Sequence, residues 1–193
     1  VTISVKVNAA EDSDAGTATA KIESKDVKAL LDKAAEAAST GKKKVFAFRI
    51  ESGAKSVSVS LEKEDFRLLA DSEADIQLDA GFGTIVFDAE AVAAIHAAAG
   101  QGEVRFEIRE SDPAGLTPEM AEKVADRPLY EFKVTAGDAA VTQFDGGFAQ
   151  IGIPYVPKPD EKTNAIVVYF IGGDGKAEAV RSRYDAASGT VIF

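Results

Sequence analysis

Apolar and polar residues alternate with a period of two along Thr17–Ile22, Ser56–Leu61 and Thr84–Phe87, the pattern of half-buried strands. Each run passes through an acidic residue into a segment with helical spacing. The junctions are Ile22-Glu23-Ser24-Lys25-Asp26-Val27-Lys28-Ala29-Leu30, Leu61-Glu62-Lys63-Glu64-Asp65-Phe66-Arg67-Leu68-Leu69 and Phe87-Asp88-Ala89-Glu90-Ala91-Val92-Ala93-Ala94-Ile95. In all three copies the last apolar residue of the strand, the residue five later and the residue eight later are apolar, which predicts helices that pack one face on the sheet. The first helix has the longest stripe: Val27, Leu30, Leu31, Ala34 and Ala38. The acid at each junction lies where it caps the helix or favours its positive end. Alternating runs follow the helices at 45–50, 75–78 and 104–108. The copies are offset by 39 and then 26 residues, too irregular for an open solenoid, so they predict a compact duplicated α+β layer.

Beyond residue 128 the pattern changes to short strands at 129–134, 149–153, 166–171, 177–180 and 190–193, with Gly172-Gly173-Asp174-Gly175 marking a hairpin. All six prolines follow residue 112 and all four tyrosines follow residue 129. Between the two kinds of pattern, Ser111-Asp112-Pro113-Ala114-Gly115 reads as a turn and Thr117-Pro118-Glu119-Met120-Ala121-Glu122 as a short helix with proline in its first turn. The sequence therefore predicts an α+β fold. Repeated strand-helix-strand units pack as an α/β layer over 1–110, a linker with a short helix spans 111–128, and a small antiparallel β-sandwich-like module fills 129–193.

Composition narrows the chemistry. The 193 residues carry 22 Lys+Arg against 32 Asp+Glu, a net charge of −10, with no Cys, no Trp and one His. Thiol catalysis, thiolate metal sites and disulfides are excluded, and one imidazole does not make a His-based metal site alone. The longest basic run, Lys42-Lys43-Lys44, is too short to offset this charge against a phosphate backbone, so nucleic acid is not an expected partner. No stretch reaches the roughly 18 apolar residues of a membrane span. The strand-like start Val1-Thr2-Ile3-Ser4-Val5, without Met, predicts a processed piece of a longer protein.

Several motifs occur together in a fixed order: Asp126-Arg127-Pro128-Leu129-Tyr130-Glu131-Phe132, Phe144-Asp145-Gly146-Gly147, Ile153-Pro154-Tyr155-Val156-Pro157, Val167-Val168-Tyr169-Phe170-Ile171-Gly172-Gly173-Asp174-Gly175-Lys176 and Tyr184-Asp185-Ala186-Ala187-Ser188-Gly189-Thr190-Val191-Ile192-Phe193. With the strand-acid-helix repeat before them, they resemble a module of exported Firmicutes surface proteins that also carry S-layer homology domains. The resemblance implies a non-enzymatic structural, scaffold or adhesive module, extracellular and at the cell surface. Its implied partners are other domains of the parent protein and a cell-wall or host glycan or protein. A carbohydrate- or protein-binding module is the alternative. In such proteins the pattern continues into a His-Phe-Ser strand similar to that of GAIN-type autoproteolytic domains. This sequence ends at Ile192-Phe193, so the further alternative is the N-terminal portion of such a unit.

Candidate ligand chemistry is sparse. Tyr155, between Pro154 and Pro157, is the best candidate for an exposed ligand contact, set against a turn residue that packs on the module. Asp12, Asp14 and Glu23 superficially echo a Ca²⁺ loop. However, the glycine falls one position early and no helix precedes, so a hairpin turn is the competing reading, with Ca²⁺ the one structural ion in view. Asp71, Glu73, Asp75 and Asp79 read as a solvated loop and strand face. His96 has no nucleophile beside it in the sequence and reads as structural. Gly81-Phe82-Gly83 and Gly146-Gly147 lack the following helix of a phosphate loop and read as turns before strands.

Overall fold

The nine apolar positions of the repeat, Ile22, Val27, Leu30, Leu61, Phe66, Leu69, Phe87, Val92 and Ile95, are each no more than 1% exposed. The periodicity thus marks the centre of the core. The computed structural model describes residues 1–36, 43–100 and 102–193. Ala38 of the first stripe and Lys42 of the basic run lie outside the described residues.

The strands of the repeat are β2 (Thr17–Ile22), β4 (Ser56–Leu61) and β6 (Thr84–Phe87), followed by α1 (Ser24–Glu36), α2 (Lys63–Asp71) and α3 (Ala89–Ala98). Ahead of them runs β1 (Thr2–Asp12). After the helices come β3 (Val45–Glu51), β5 (Asp75–Asp79) and β7 (Val104–Ser111). The junction acids act differently. Asp88 caps α3, its Oδ1 accepting from the Ala91 amide at 2.8 Å. At α1 the capping acid is Asp26, which accepts from the Glu23 amide at 3.0 Å. Glu62 makes no side-chain cap on α2. There Asp65 accepts from Ser24 Oγ at 2.8 Å and ties the starts of α1 and α2 together.

The predicted fold class is corrected by the sheet. Strand makes up 41% of the described residues and helix 24%, and there is no α/β layer with a separate sandwich. One 12-stranded mixed sheet takes strands from the whole chain, in the order β13-β14-β10-β6-β5-β3-β1-β2-β4-β7-β8-β9. Its later members are β8 (Leu129–Ala136), β9 (Ala139–Ala140), β10 (Ala149–Pro154), β13 (Arg183–Asp185) and β14 (Thr190–Ile192). β8 pairs with β7 from Val104↔Ala136 to Ser111↔Leu129, and β10 pairs with β6 from Ala149↔Phe87 to Gly152↔Thr84. Residues 112–128, with α4 (Pro118–Val124), therefore connect two neighbouring antiparallel strands.

The eleven-residue β1 organises this sheet. Thr2 to Asn8 pair in parallel with β3, whereas Ala9 to Asp12 pair with β2, so β1 belongs to two halves. Each strand-helix-strand unit crosses between them: β2 and β4 lie in the second half, while β3 and β5 lie in the first. The third unit crosses the other way, from β6 to β7. Period-two alternation fixes which face of a strand is buried but not which strand lies beside it, which is why the units looked like a layer. The inner faces meet across the core, with the Phe87 and Phe106 rings 5.2 Å apart.

Among the described residues, one hairpin stays out of the sheet. β11 (Val168–Ile171) and β12 (Ala177–Val180) pair with each other around the predicted Gly172–Gly175 turn. Among the described residues, no helix is long and apolar enough to cross a membrane.

Candidate binding cleft

Two excursions from the sheet meet at Tyr155. One ends the connection after α4, at Asp126, Arg127 and Pro128. The other leaves β10 and carries Tyr155, Val156, Lys158, Asp160 and Glu161. Together they line a cleft of about 260 Å³. Two of the motifs quoted above, 126–132 and 153–157, thereby come together from opposite halves of the sheet.

The Tyr155 backbone is fixed on both sides. Its amide donates to Gly189 O at 2.8 Å, and its carbonyl accepts from the Tyr184 hydroxyl at 3.4 Å. The Tyr155 hydroxyl donates to Glu161 Oε2 at 2.7 Å, and the Lys158 amide donates to the same oxygen at 3.0 Å. Across the cleft, Lys158 Nζ meets Asp126 Oδ2 at 2.5 Å. Arg127 turns one guanidinium nitrogen onto the last carbonyls of α4, Lys123 O at 3.2 Å and Val124 O at 3.4 Å.

These contacts set the ionisation of the site. The hydrogen bond from Tyr155, then that from the Lys158 amide, hold the Glu161 carboxyl below its ordinary range, and the same bond to Glu161 raises the Tyr155 phenol. Pairing lowers Asp126 and raises Lys158. Asp126 and Glu161 on one side and Lys158 on the other are therefore charged at neutral pH, and Asp160 and Arg127 line the cleft beside them. Tyr155 and Val156, the latter 89% exposed, add carbon surface.

Strain sits at its margin. Ala125 has φ 51° and ψ −120°, and the Arg127 amide donates to Val124 O at 3.0 Å across it. This turn demands positive φ at its second position, where glycine is the usual residue. The sequence gives no sign of it, because alanine at the end of a helix reads as more helix.

Asp12, Asp14 and Glu23 are not brought together. Asp12 closes β1 and its Oδ1 accepts from the Asp14 and Ala15 amides at 3.1 Å each, so it shapes the β1–β2 turn. Glu23 lies beyond the other end of β2, roughly 20 Å of extended chain away from Thr17, the residue opposite Asp12, and pairs with Lys25. Among the described residues, no group of three or more His, Asp or Glu is gathered as for a metal.

Of the second acidic group, Asp71 pairs with Arg67 at 2.7 Å and Asp79 accepts from the Gly81 amide at 3.0 Å in the β5–β6 hairpin. Asp75 accepts from the Ala89 amide at 3.0 Å and pairs with Lys43, so it serves the start of α3. His96 lies in the last turn of α3, half-buried, its Nε2 enclosed without a hydrogen-bond partner among the described residues. Gly146-Gly147 packs against α3: a Cβ on Gly147 would lie 2.2 Å from the Ala91 nitrogen.

No family model, curated protein or solved structure matches the chain. The likeness to surface-protein modules rests on the quoted motifs alone.

Proposed function

We propose that the chain is a non-enzymatic adhesive and scaffold module of an extracellular bacterial surface protein, and that it holds a glycan at the Tyr155 cleft. The observation that carries this reading is the cleft itself, where an aromatic ring, an exposed valine and groups of both charges are held on fixed backbone. Three carboxylates oppose a strong anion and two cations oppose a second cation. A neutral polyol, with donors and acceptors on adjacent carbons, satisfies both sets and stacks its carbon face on the ring.

Sedimentation with insoluble bacterial cell walls and binding to a glycan array, each with wild type and Tyr155→Ala, test the proposal. Retention of the wild type and an at least tenfold loss in the variant support it. Absence of binding by the wild type, or equal binding by both, overturns it.

A further inference from the structure

The charged groups of the Tyr155 cleft are not equally engaged. Asp126 and Lys158 hold each other, and Glu161 Oε2 receives both the Tyr155 hydroxyl and the Lys158 amide. Arg127 and Asp160 differ. Among the described residues, the Arg127 side chain bonds only through Nη1, which donates to Lys123 O and Val124 O, and the Asp160 carboxylate makes neither a hydrogen bond nor an ion pair. These two groups reach the cleft from different excursions, Arg127 from the connection after α4 and Asp160 from the segment after β10.

The Arg127 guanidinium is held in one orientation. The positive φ of Ala125 and the bond from the Arg127 amide to Val124 O turn the chain back over the end of α4, where the last carbonyls of the helix take Nη1. A guanidinium is planar, with its five N–H groups in a fixed fork. With Nη1 committed, Nε–H and one Nη2–H remain as two parallel donors on the opposite edge. The Arg127 charge is felt at Tyr155 and Glu161, which places the group within reach of the ring and of the Asp160 segment. Two parallel donors match two acceptors on adjacent atoms. A carboxylate ligand offers such acceptors but meets Asp126, Asp160 and Glu161. Neighbouring hydroxyls offer them without charge, and they also donate protons that the Asp160 carboxylate accepts. Resting on the glycan reading of this cleft, we infer that the feature recognised is a vicinal diol: Arg127 Nε and Nη2 donate to its two oxygens, Asp160 accepts from one of its hydroxyls, and Tyr155 carries the sugar ring. A ring with no free pair leaves one donor of the fork unmatched and is disfavoured. Such rings are those linked through the middle one of three neighbouring hydroxyls, or whose remaining hydroxyl stands between an acetamido group and the linkage.

Binding of the whole chain to immobilised amylose and linear mannan, whose rings keep neighbouring hydroxyls free, is compared with binding to curdlan and chitin, whose interior rings do not. The wild type is expected to bind amylose or mannan about tenfold or more tighter than curdlan and chitin. Arg127→Lys keeps the charge and removes the fork, so it is expected to bring the two classes within about threefold of each other. A purely structural role for Arg127 would weaken both classes alike and leave the preference intact. Asp160→Ala, at an exposed position, is expected to weaken the favoured class about fivefold or more with unchanged thermal melting. Equal binding to both classes, a preference for curdlan or chitin, a preference that survives in Arg127→Lys, or undiminished binding by Asp160→Ala overturns the inference. Where binding is still lost in Tyr155→Ala, the cleft reading stands without it. Binding to none of the four overturns the inference as well, and the cleft reading is then decided separately by sedimentation with cell walls.

Discussion

The Phe87 and Phe106 rings, 5.2 Å apart and tilted by 43°, join the two halves of the sheet at its core. Phe87 ends the strand that receives β10, and Phe106 lies on the strand that receives β8. Phe66 of α2 stands 6.1 Å from Phe106 on the same side.

Phe106→Ala removes a fully buried ring from this junction and leaves a cavity touching both halves. The expected loss is about 3–5 kcal/mol. Urea unfolding followed by tyrosine fluorescence and by far-UV circular dichroism should give one coincident transition at lower midpoint. Two separated transitions would show halves that unfold independently.

A fragment ending at residue 128 should not fold. It would lack β10, which covers the edge of β6, and β8, which covers β7 along its length. The fragment is expected to show collapsed amide dispersion in an NMR spectrum, whereas a well-dispersed spectrum would show that the first part folds as an independent domain.

Nine core positions of the repeat, the cap at Asp88, the Pro118 start of α4 and both glycine hairpins were legible, because each depends on spacing or on local backbone chemistry. Strand partnership was not. Phe132, Val134 and Ala136 on β8 alternate as any half-buried strand does, and nothing in that alternation says that their neighbours are Ile108, Phe106 and Val104. Tyr155 stood out as an aromatic between prolines. Arg127, Asp126, Lys158 and Glu161 did not, because isolated surface charges become a site only when two distant excursions meet.

Asp88 is buried and accepts twice, from Ala91 at 2.8 Å and from Phe148 at 3.1 Å, fastening the loop before β10 to the start of α3. Asp88→Ala leaves both amides without their partner and should cost about 1–3 kcal/mol, read as a fall in melting temperature. Asp88→Asn, which keeps an accepting oxygen, should recover most of the loss.

Ala125→Gly should stabilise the chain by roughly 1 kcal/mol, because glycine adopts the positive φ of this turn without strain. For a chain of this length that corresponds to a rise of about 2–4 °C in melting temperature. An unchanged or lower value would mean that the alanine carries no strain.

The cleft should loosen in acid. Glu161 and Asp126 have carboxyls held below the ordinary range, so their contribution is present above the unfolded-state values and is lost as pH falls through the lowered folded-state values. An NMR titration of the Glu161 side-chain carboxyl should show the lowered midpoint in the wild type and a return toward the ordinary one in Tyr155→Phe.

The most direct test of the account is a titration of the ¹⁵N-labelled chain with soluble cell-wall glycan fragments, followed by amide shifts. Saturable shifts confined to residues 126–128 and 155–161, absent in Tyr155→Ala, are the predicted result. No shifts at any fragment concentration, or shifts centred elsewhere on the sheet, would contradict the claim that the Tyr155 cleft is where this module holds its ligand.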